Sequence, residues 1–318
     1  MIQTKHVENV HLPHGLKKHI SLSGEVHRTK VVLRANRIHT VCESARCPNI
    51  SECFGMHRAT FMIMGDICTR ACRFCSIDKG HPAKIDPEEP YRIAKSVAEL
   101  GIMHAVITSV TRDDLNDGGA DHFYRTVCVV KELNPDVTVE LLTPDFKGNR
   151  DAIMHLLEAD FEIFNHNVET VPRLYRGIRP QALYERSIEV LGFVKRQKRI
   201  IIKSGLMVGL GETMEEVKAV LRDLKEVGCD IVTIGQYLMP TSQNIPVQAY
   251  ITQELYDEYE RFGREIGIPF VYAGPFIRSS YHAQEIMNKL VINPKNAIGK
   301  FAHSFNPTIH LRYKDFLL

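Results

Sequence analysis

The chain has 318 residues, 44% hydrophobic and 25% charged, with a net charge of +2. That length suits one large domain with extensions or two domains, and the balance excludes both a disordered chain and a general nucleic-acid-binding field. No apolar run approaches the roughly 18 residues of a membrane span, and the opening MIQTKHVENVHLPHGLKKH lacks a secretory h-region, so a cytoplasmic protein with reduced thiols is expected.

Residues 1–58 show weak periodicity. The first forty carry Lys5, Lys17, Lys18, Arg28, Lys30, Arg34 and Arg37 against Glu8 and Glu25. They read either as a solvated arm or as a docking surface for an acidic protein partner. From residue 60 apolar strand-like runs alternate with helical spacing. Strands are predicted at 59–65, 104–110, 137–146, 161–170, 200–212 and 229–240. Helices are predicted at 90–101, 118–133, 148–158, 179–197, 213–227 and 252–267. Six β–α repeats, with strands apolar on both faces, predict a parallel sheet covered by helices. Six units are too few for a closed eight-stranded barrel. The predicted fold is therefore α/β, a partial (β/α)6 TIM-type barrel over 59–245. An N-terminal arm covers 1–58, and a C-terminal helix, ligand segment and tail cover 246–318. Polar residues gather at strand C-terminal ends (Thr108–Asp113, Asn165–Glu169, Gly209–Thr213 and Gln236), the edge that carries the active site in such barrels.

Six of the eight cysteines lie between positions 42 and 75. Cys42, Cys47 and Cys53 form C-x4-C-x5-C; Cys68, Cys72 and Cys75 form C-x3-C-x2-C. Clustered cysteines in a long, non-exported chain read as metal ligands rather than disulfides. Two triplets side by side indicate two iron–sulfur clusters, each one thiolate short of the usual four. A zinc knuckle is the competing reading of the second triplet; it needs a fourth ligand, and the nearest following candidate is His81. Cys128 and Cys229 read as small buried thiols.

The second triplet, with Phe74 before its last cysteine, carries the signature of the radical S-adenosylmethionine superfamily. That resemblance implies a [4Fe–4S] cluster whose open iron chelates S-adenosylmethionine. Reductive cleavage then gives methionine and a 5′-deoxyadenosyl radical. HTVCESARCPNISECF resembles the auxiliary-cluster motif of the lipoyl synthase family. ATFMIMGDICTR, TSVTRDDLNDGGADHF, FNHNVETVPRLYRGIRP, KSGLMVGLGET, GQYLMPT and AGPFIRSSYHA resemble the same family in the same order. In that family a serine of the RSSYHA segment is the fourth ligand of the auxiliary [4Fe–4S] cluster. Spacing does not separate Ser279 from Ser280; Ser280 is favoured. An oxygen on an iron–sulfide cluster is a mismatched ligand that can leave.

The resemblance implies insertion of two sulfur atoms at carbons 6 and 8 of a protein-bound octanoyl group, with sulfur taken from the auxiliary cluster. Those C–H bonds are too weakly acidic for a side-chain base, so radical chemistry is required. It implies octanoylated carrier domains as substrates (2-oxoacid dehydrogenase E2 subunits and the glycine cleavage H protein). A flavodoxin or ferredoxin donor and an iron–sulfur carrier protein are implied as partners, with no nucleic acid and no membrane. The segment NHNVET resembles its counterpart in biotin synthase, which points to Glu169 as a ribose ligand; Asn167 should share its inward face. Arg112, Asp113 and Asp114 order either the cofactor or a salt-bridged loop, Gly209 and Gly211 permit either adenine approach or a turn, and Arg278 is placed to orient the neighbouring serine. The two clusters are expected to face a shared cavity. Other readings are a different radical sulfur-inserting enzyme or a non-catalytic metal-binding module. Gln284, Thr143 and the tail 284–318 depart from the family pattern.

Overall fold

The six predicted strands form, and two more join them, in a computed structural model that describes residues 23–281 with Leu16, Lys18, 283–285 and Met287. Half of the first forty residues, Lys5 and Lys17 among them, and most of the tail 284–318 lie outside the described residues. The sheet runs in chain order: β1 (His39–Thr40), β2 (Thr60–Ile63), β3 (His104–Ser109), β4 (Thr138–Leu142), β5 (Ile163–Asn165), β6 (Ile201–Val208), β7 (Ile231–Gln236) and β8 (Phe270–Gly274). β1 is antiparallel to β2; every later pair is parallel. Among the described residues β1 and β8 are not paired, so the barrel is open. The sheet continues past residue 245 to take in β8.

Ten helices are described: α1 (Gly24–Ala35), α2 (Val41–Ser44), α3 (Ile50–Gly55), α4 (Glu89–Leu100), α5 (Ala120–Leu133), α6 (Arg150–Leu157), α7 (Pro172–Ile178), α8 (Tyr184–Gln197), α9 (Met214–Glu226) and α10 (Gln253–Glu265). α9 shows why they form. Thr213 caps its first turn and Glu216 closes a capping box. Val217, Val220, Leu221 and Leu224 then make one fully buried stripe, each side chain worth about 1.5–3 kcal/mol. The predicted helix at 179–197 begins only at Tyr184; α7, begun by Pro172, precedes it. The predicted strand at 161–170 stops at Asn165.

The strands are not apolar on both faces. The helix-facing side holds Phe61, Ile107, Val139, Leu141, Phe164, Ile202, Val232 and Ile234, all in one core. The inner side carries a buried polar layer instead. Lys203 Nζ meets Glu140 Oε2 at 2.9 Å and Asn165 Nδ2 donates to Glu140 Oε1 at 2.7 Å. Burial alone would raise the Glu140 carboxyl, but Lys203 and His104 hold it down to about 2. Below this layer Ile163, Ile201, Ile231 and Met287 form a small apolar plug. No described helix is long and apolar enough to cross a membrane.

Candidate metal centre and cofactor site

The second triplet sits in the loop after β2, at the C-terminal edge of the sheet, and it is clamped. Arg70, inside the loop, makes a bidentate pair with Asp113 (2.8 and 3.0 Å) and reaches Asp145 Oδ1 at 2.6 Å. Burial alone would raise the Asp145 carboxyl; Arg70 holds it down to about 2. The Arg73 amide donates to the Ile178 carbonyl, and Asn244 Nδ2 donates to the Cys75 carbonyl at 3.0 Å. Amides of Arg70 and Thr111 point at Cys68 Sγ from 3.4 and 3.3 Å. Asp113 is thus a loop anchor, whereas Arg112 is spent on Asp114 at 2.8 Å.

Glu169 and Asn167 come together beside this loop, though not as neighbours on a strand. Glu169 lies beyond β5 in the left-handed region (φ 67°) and bridges to Leu206. Asn167 Nδ2 donates to Glu169 Oε1 at 3.1 Å. Burial raises the Glu169 carboxyl and Arg179 opposes it. Arg179, inside the run YRGIRP and unmarked by any motif, is 8% exposed and donates to Tyr175 Oη and the Val168 and Asn167 carbonyls. Its charge also faces the Cys72 thiol. Gly209 and Gly211 have φ of 94° and 106° and form a turn whose Leu210 amide donates to Glu212.

The first triplet lies toward the opposite edge of the sheet, at the starts of the strands. A cavity of about 540 Å³ is lined by Cys42, Cys47, Cys53 and Ser280, and by Thr60, His104 and Thr138 at the starts of their strands. No cysteine of the second triplet lines it. Thr40 caps α2, which carries Cys42; α3 carries Cys53. The two cysteine loops still touch, because Ser76 Oγ donates to the Ser44 carbonyl at 2.8 Å.

Residues 275–281 run along the inner face of the sheet between the two edges. A Cβ on Gly235 would lie 2.1 Å from the Ile277 carbonyl oxygen. A Cβ on Gly205 would lie 3.0 Å from both Asn167 Oδ1 and Ser279 Oγ. Both glycines therefore make room for this segment. Ser279 Oγ donates to Asn167 Oδ1 at 2.8 Å, on the Glu169 side. Ser280 Oγ instead accepts from Thr60 Oγ1 at 2.8 Å, on the cavity side. Arg278 does not bond to either serine; its Nη1 donates to the Ile277 and Pro275 carbonyls. Lys18 Nζ pairs with Glu52 and lies 5.0 and 4.8 Å from the Phe276 and Tyr281 ring centroids.

The thiols suit a metal cluster better than nucleophilic or disulfide chemistry. All eight cysteines are free thiols. Burial, with the charge of neighbouring cysteines, pushes Cys42, Cys53 and Cys75 up to about 12. Such thiols do not ionise alone; coordination to a cation deprotonates them. Asn49, 1% exposed, lines the first cavity with its Oδ1 unpaired. Among the described residues no three His, Cys, Asp or Glu side chains converge closely enough for a single ion.

Comparison with known proteins agrees. The family model described as "Radical SAM superfamily" matches residues 62–236. Lipoyl synthase of Caldanaerobacter subterraneus subsp. tengcongensis is 53% identical over 86% of this chain and 96% of its own length. Lipoyl synthase of Caldicellulosiruptor saccharolyticus is 49% identical over 90% of this chain and 98% of its own. Among solved structures, methylornithine synthase superposes with a TM-score of 0.50 at 14% identity, covering 95% of this chain and 94% of that one. SuiB of Streptococcus suis reaches 0.55 at 12% identity, over 71% of this chain and 53% of its own. These distant likenesses speak to the fold alone. With half its residues shared along nearly the full length of those relatives, and with the superfamily model spanning its sheet, the chain belongs to the lipoyl synthase family of the radical SAM superfamily.

Proposed function

We propose that the enzyme inserts two sulfur atoms, at carbons 6 and 8, into an octanoyl group carried on a lysine of a lipoyl carrier domain. Cys68, Cys72 and Cys75 would hold a [4Fe–4S] cluster that binds S-adenosylmethionine; Cys42, Cys47, Cys53 and Ser280 would hold an auxiliary [4Fe–4S] cluster. When bound, these groups supply the one-electron chemistry that breaks an unactivated C–H bond, and the sulfur that replaces the hydrogen.

The observation that carries the reading is the segregation of the six thiols into two sites joined by the segment that bears Ser280. The chain's own residues do the positioning. The Arg70–Asp113–Asp145 clamp fixes the loop of Cys68 to Cys75. Glu169 presents a carboxylate suited to two vicinal ribose hydroxyls, and Asn167 fixes its orientation. Arg179 sets a positive charge against Cys72 and Glu169. Ser280 supplies the oxygen ligand, steadied by Thr60, while Ser279 is already engaged with Asn167.

On this reading the chain divides into an N-terminal arm with the auxiliary cysteines (1–58), a radical SAM partial barrel (59–245), which β8 extends, and a C-terminal helix, ligand segment and tail (246–318). It works in the cytoplasm on E2 and glycine cleavage H carrier domains. A flavodoxin or ferredoxin supplies electrons and an iron–sulfur carrier rebuilds the auxiliary cluster. The test is anaerobic reconstitution, expected to give about eight irons per chain, followed by mass spectrometry of an octanoylated carrier-domain peptide after incubation with S-adenosylmethionine and reductant. A lipoyl product is expected. An unchanged peptide mass, with both clusters verified, would overturn the proposal.

A further inference from the structure

Among the described residues, the cavity of the first triplet contains one cation without a carboxylate partner. Its basic lining residues are His57, Arg58, His104 and Arg278. His57 Nε2 stands 2.8 Å from Glu25, Arg58 pairs with Glu285 at 2.5 Å, and His104 lies 3.5 Å from Glu140. Arg278 has no such partner among the described residues; its donors go to two backbone carbonyls. Its charge faces Cys47. The one carboxylate that lines the cavity, Asp136, is exposed and makes no ion pair with it.

The fold goes out of its way to keep this cation there. Gly235 on β7 lets the Ile277 backbone close in, its carbonyl oxygen only 2.1 Å from where a Cβ would stand, and so brings Arg278 Nη1 to 2.9 Å from the same point. A half-buried guanidinium held among neutral groups is unfavourable unless an anion joins it. Three thiolates and a serine oxygen around iron and sulfide make such an anion.

We propose that Arg278 is the counter-charge of the auxiliary cluster: it retains the cluster and favours its reduced state, and it is a liability to the metal-free protein. This rests on the reading above that the cavity holds a cluster. It assigns Arg278 an electrostatic part in sulfur donation that orienting the serine would not require.

The test uses the full chain with Cys68, Cys72 and Cys75 changed to alanine, so that only the first site can be loaded. Arg278→Met and Arg278→Lys are made in that background. In metal-free protein Arg278→Met should unfold at the same temperature as its parent or higher. After anaerobic reconstitution it should lose iron to a chelator about ten- to a hundredfold faster, the range typical of lost metal-site support. Its cluster should titrate at a lower midpoint potential, since removing a nearby positive charge disfavours the reduced state. Arg278→Lys should restore both. If the Met variant is insoluble, Arg278→Gln, which keeps a donor for the carbonyls without the charge, takes its place. Unchanged chelator kinetics and potential overturn the inference, as does destabilised metal-free protein with normal cluster retention, which would mark Arg278 as a backbone strut. A parent that binds no cluster overturns the reading of the cavity itself.

Discussion

The two cysteine triplets are held in opposite ways. Cys68, Cys72 and Cys75 lie in one loop pinned by ion pairs to the ends of neighbouring strands, through Asp113 and Asp145. Cys42 and Cys53 ride on two short helices with Cys47 in the loop between them, and their cavity is closed by a segment more than two hundred residues later, through Ser280, Arg278 and Ala283. Its contacts include a serine–threonine hydrogen bond, an Asn49–Phe276 bond, a Tyr281–Glu52 bond and an Arg58–Glu285 ion pair between partly exposed side chains, and an exposed pair is worth little in water. A centre that must survive many turnovers suits the first construction. A centre that gives up atoms and is refilled suits the second.

The sharpest way to break this contrast is to remove one thiol from each triplet. Cys68→Ala should abolish formation of 5′-deoxyadenosine from S-adenosylmethionine. Cys42→Ala should leave that cleavage in place and eliminate the lipoyl product, read by chromatography and peptide mass spectrometry. Equal loss of cleavage in both would mean that the triplets do not divide the work. The serines refine the same contrast. Ser280→Ala should bring loss of auxiliary iron about tenfold or more forward and suppress sulfur insertion. Ser279→Ala should spare the iron and weaken S-adenosylmethionine binding through Asn167 and Glu169. The reverse ranking would assign the ligand to Ser279.

Much of the frame was legible in the sequence, because period and punctuation are local. Five predicted helices coincide with observed ones to within two residues at each end, and the two cysteine triplets marked by their spacing lie in two separate parts of the fold. What was illegible was non-local. The strand Phe270–Gly274 has no alternation to announce it and is recruited by β7. Lys203 and Glu140 sit in apolar runs, and only their pairing across 63 residues makes them inner-face residues. That the first triplet lies at the N-terminal edge depends on the segment after β8 running back along the sheet, which Gly205 and Gly235 permit without any motif to mark them. Arg179 lay inside a recognised run, YRGIRP, yet its value comes from a carbonyl cage that spacing does not reveal.

Arg70 tests whether the clamp is as rigid as the geometry implies. Its side chain is 4% exposed and that of Asp145 is 1%. Arg70→Met leaves a buried carboxylate with the Lys147 amide at 3.1 Å and, as its remaining ion-pair partner among the described residues, the more distant Arg186 at 3.4 Å. Breaking a buried pair from one side costs about 3–5 kcal/mol, read as a fall in the thermal or urea midpoint of metal-free protein. Arg58→Met, on the other site's partly exposed Glu285 pair, should cost about 1 kcal/mol or less. Equal losses would erase the distinction between a pinned and a lightly closed site.

Acid should act on the clamped region in particular, through His166. Its Nδ1 donates to the Thr143 carbonyl at 2.9 Å and its Nε2 accepts from Ser187 at 3.0 Å, so the folded protein holds it neutral. Burial lowers it from the ordinary 6.5 to about 4, against the pull of the Thr143 carbonyl and Asp145. Above pH 6.5 neither state is protonated and the group is neutral in its effect. As the pH falls toward 4 the unfolded chain gains a proton that the folded chain refuses. Stability then drops by about 3 kcal/mol across that window and levels off below it. Asp145 extends the loss further down, since its stabilisation is present above about 3.8 and disappears toward 2. His166→Asn, which keeps an amide donor for Thr143, should flatten the pH 6.5-to-4 limb of a urea-unfolding series while leaving the lower one. A limb that persists in the variant would show that some other group carries the acid sensitivity, and that the neighbourhood of Asp145 is no more vulnerable to protons than the cavity of the first triplet.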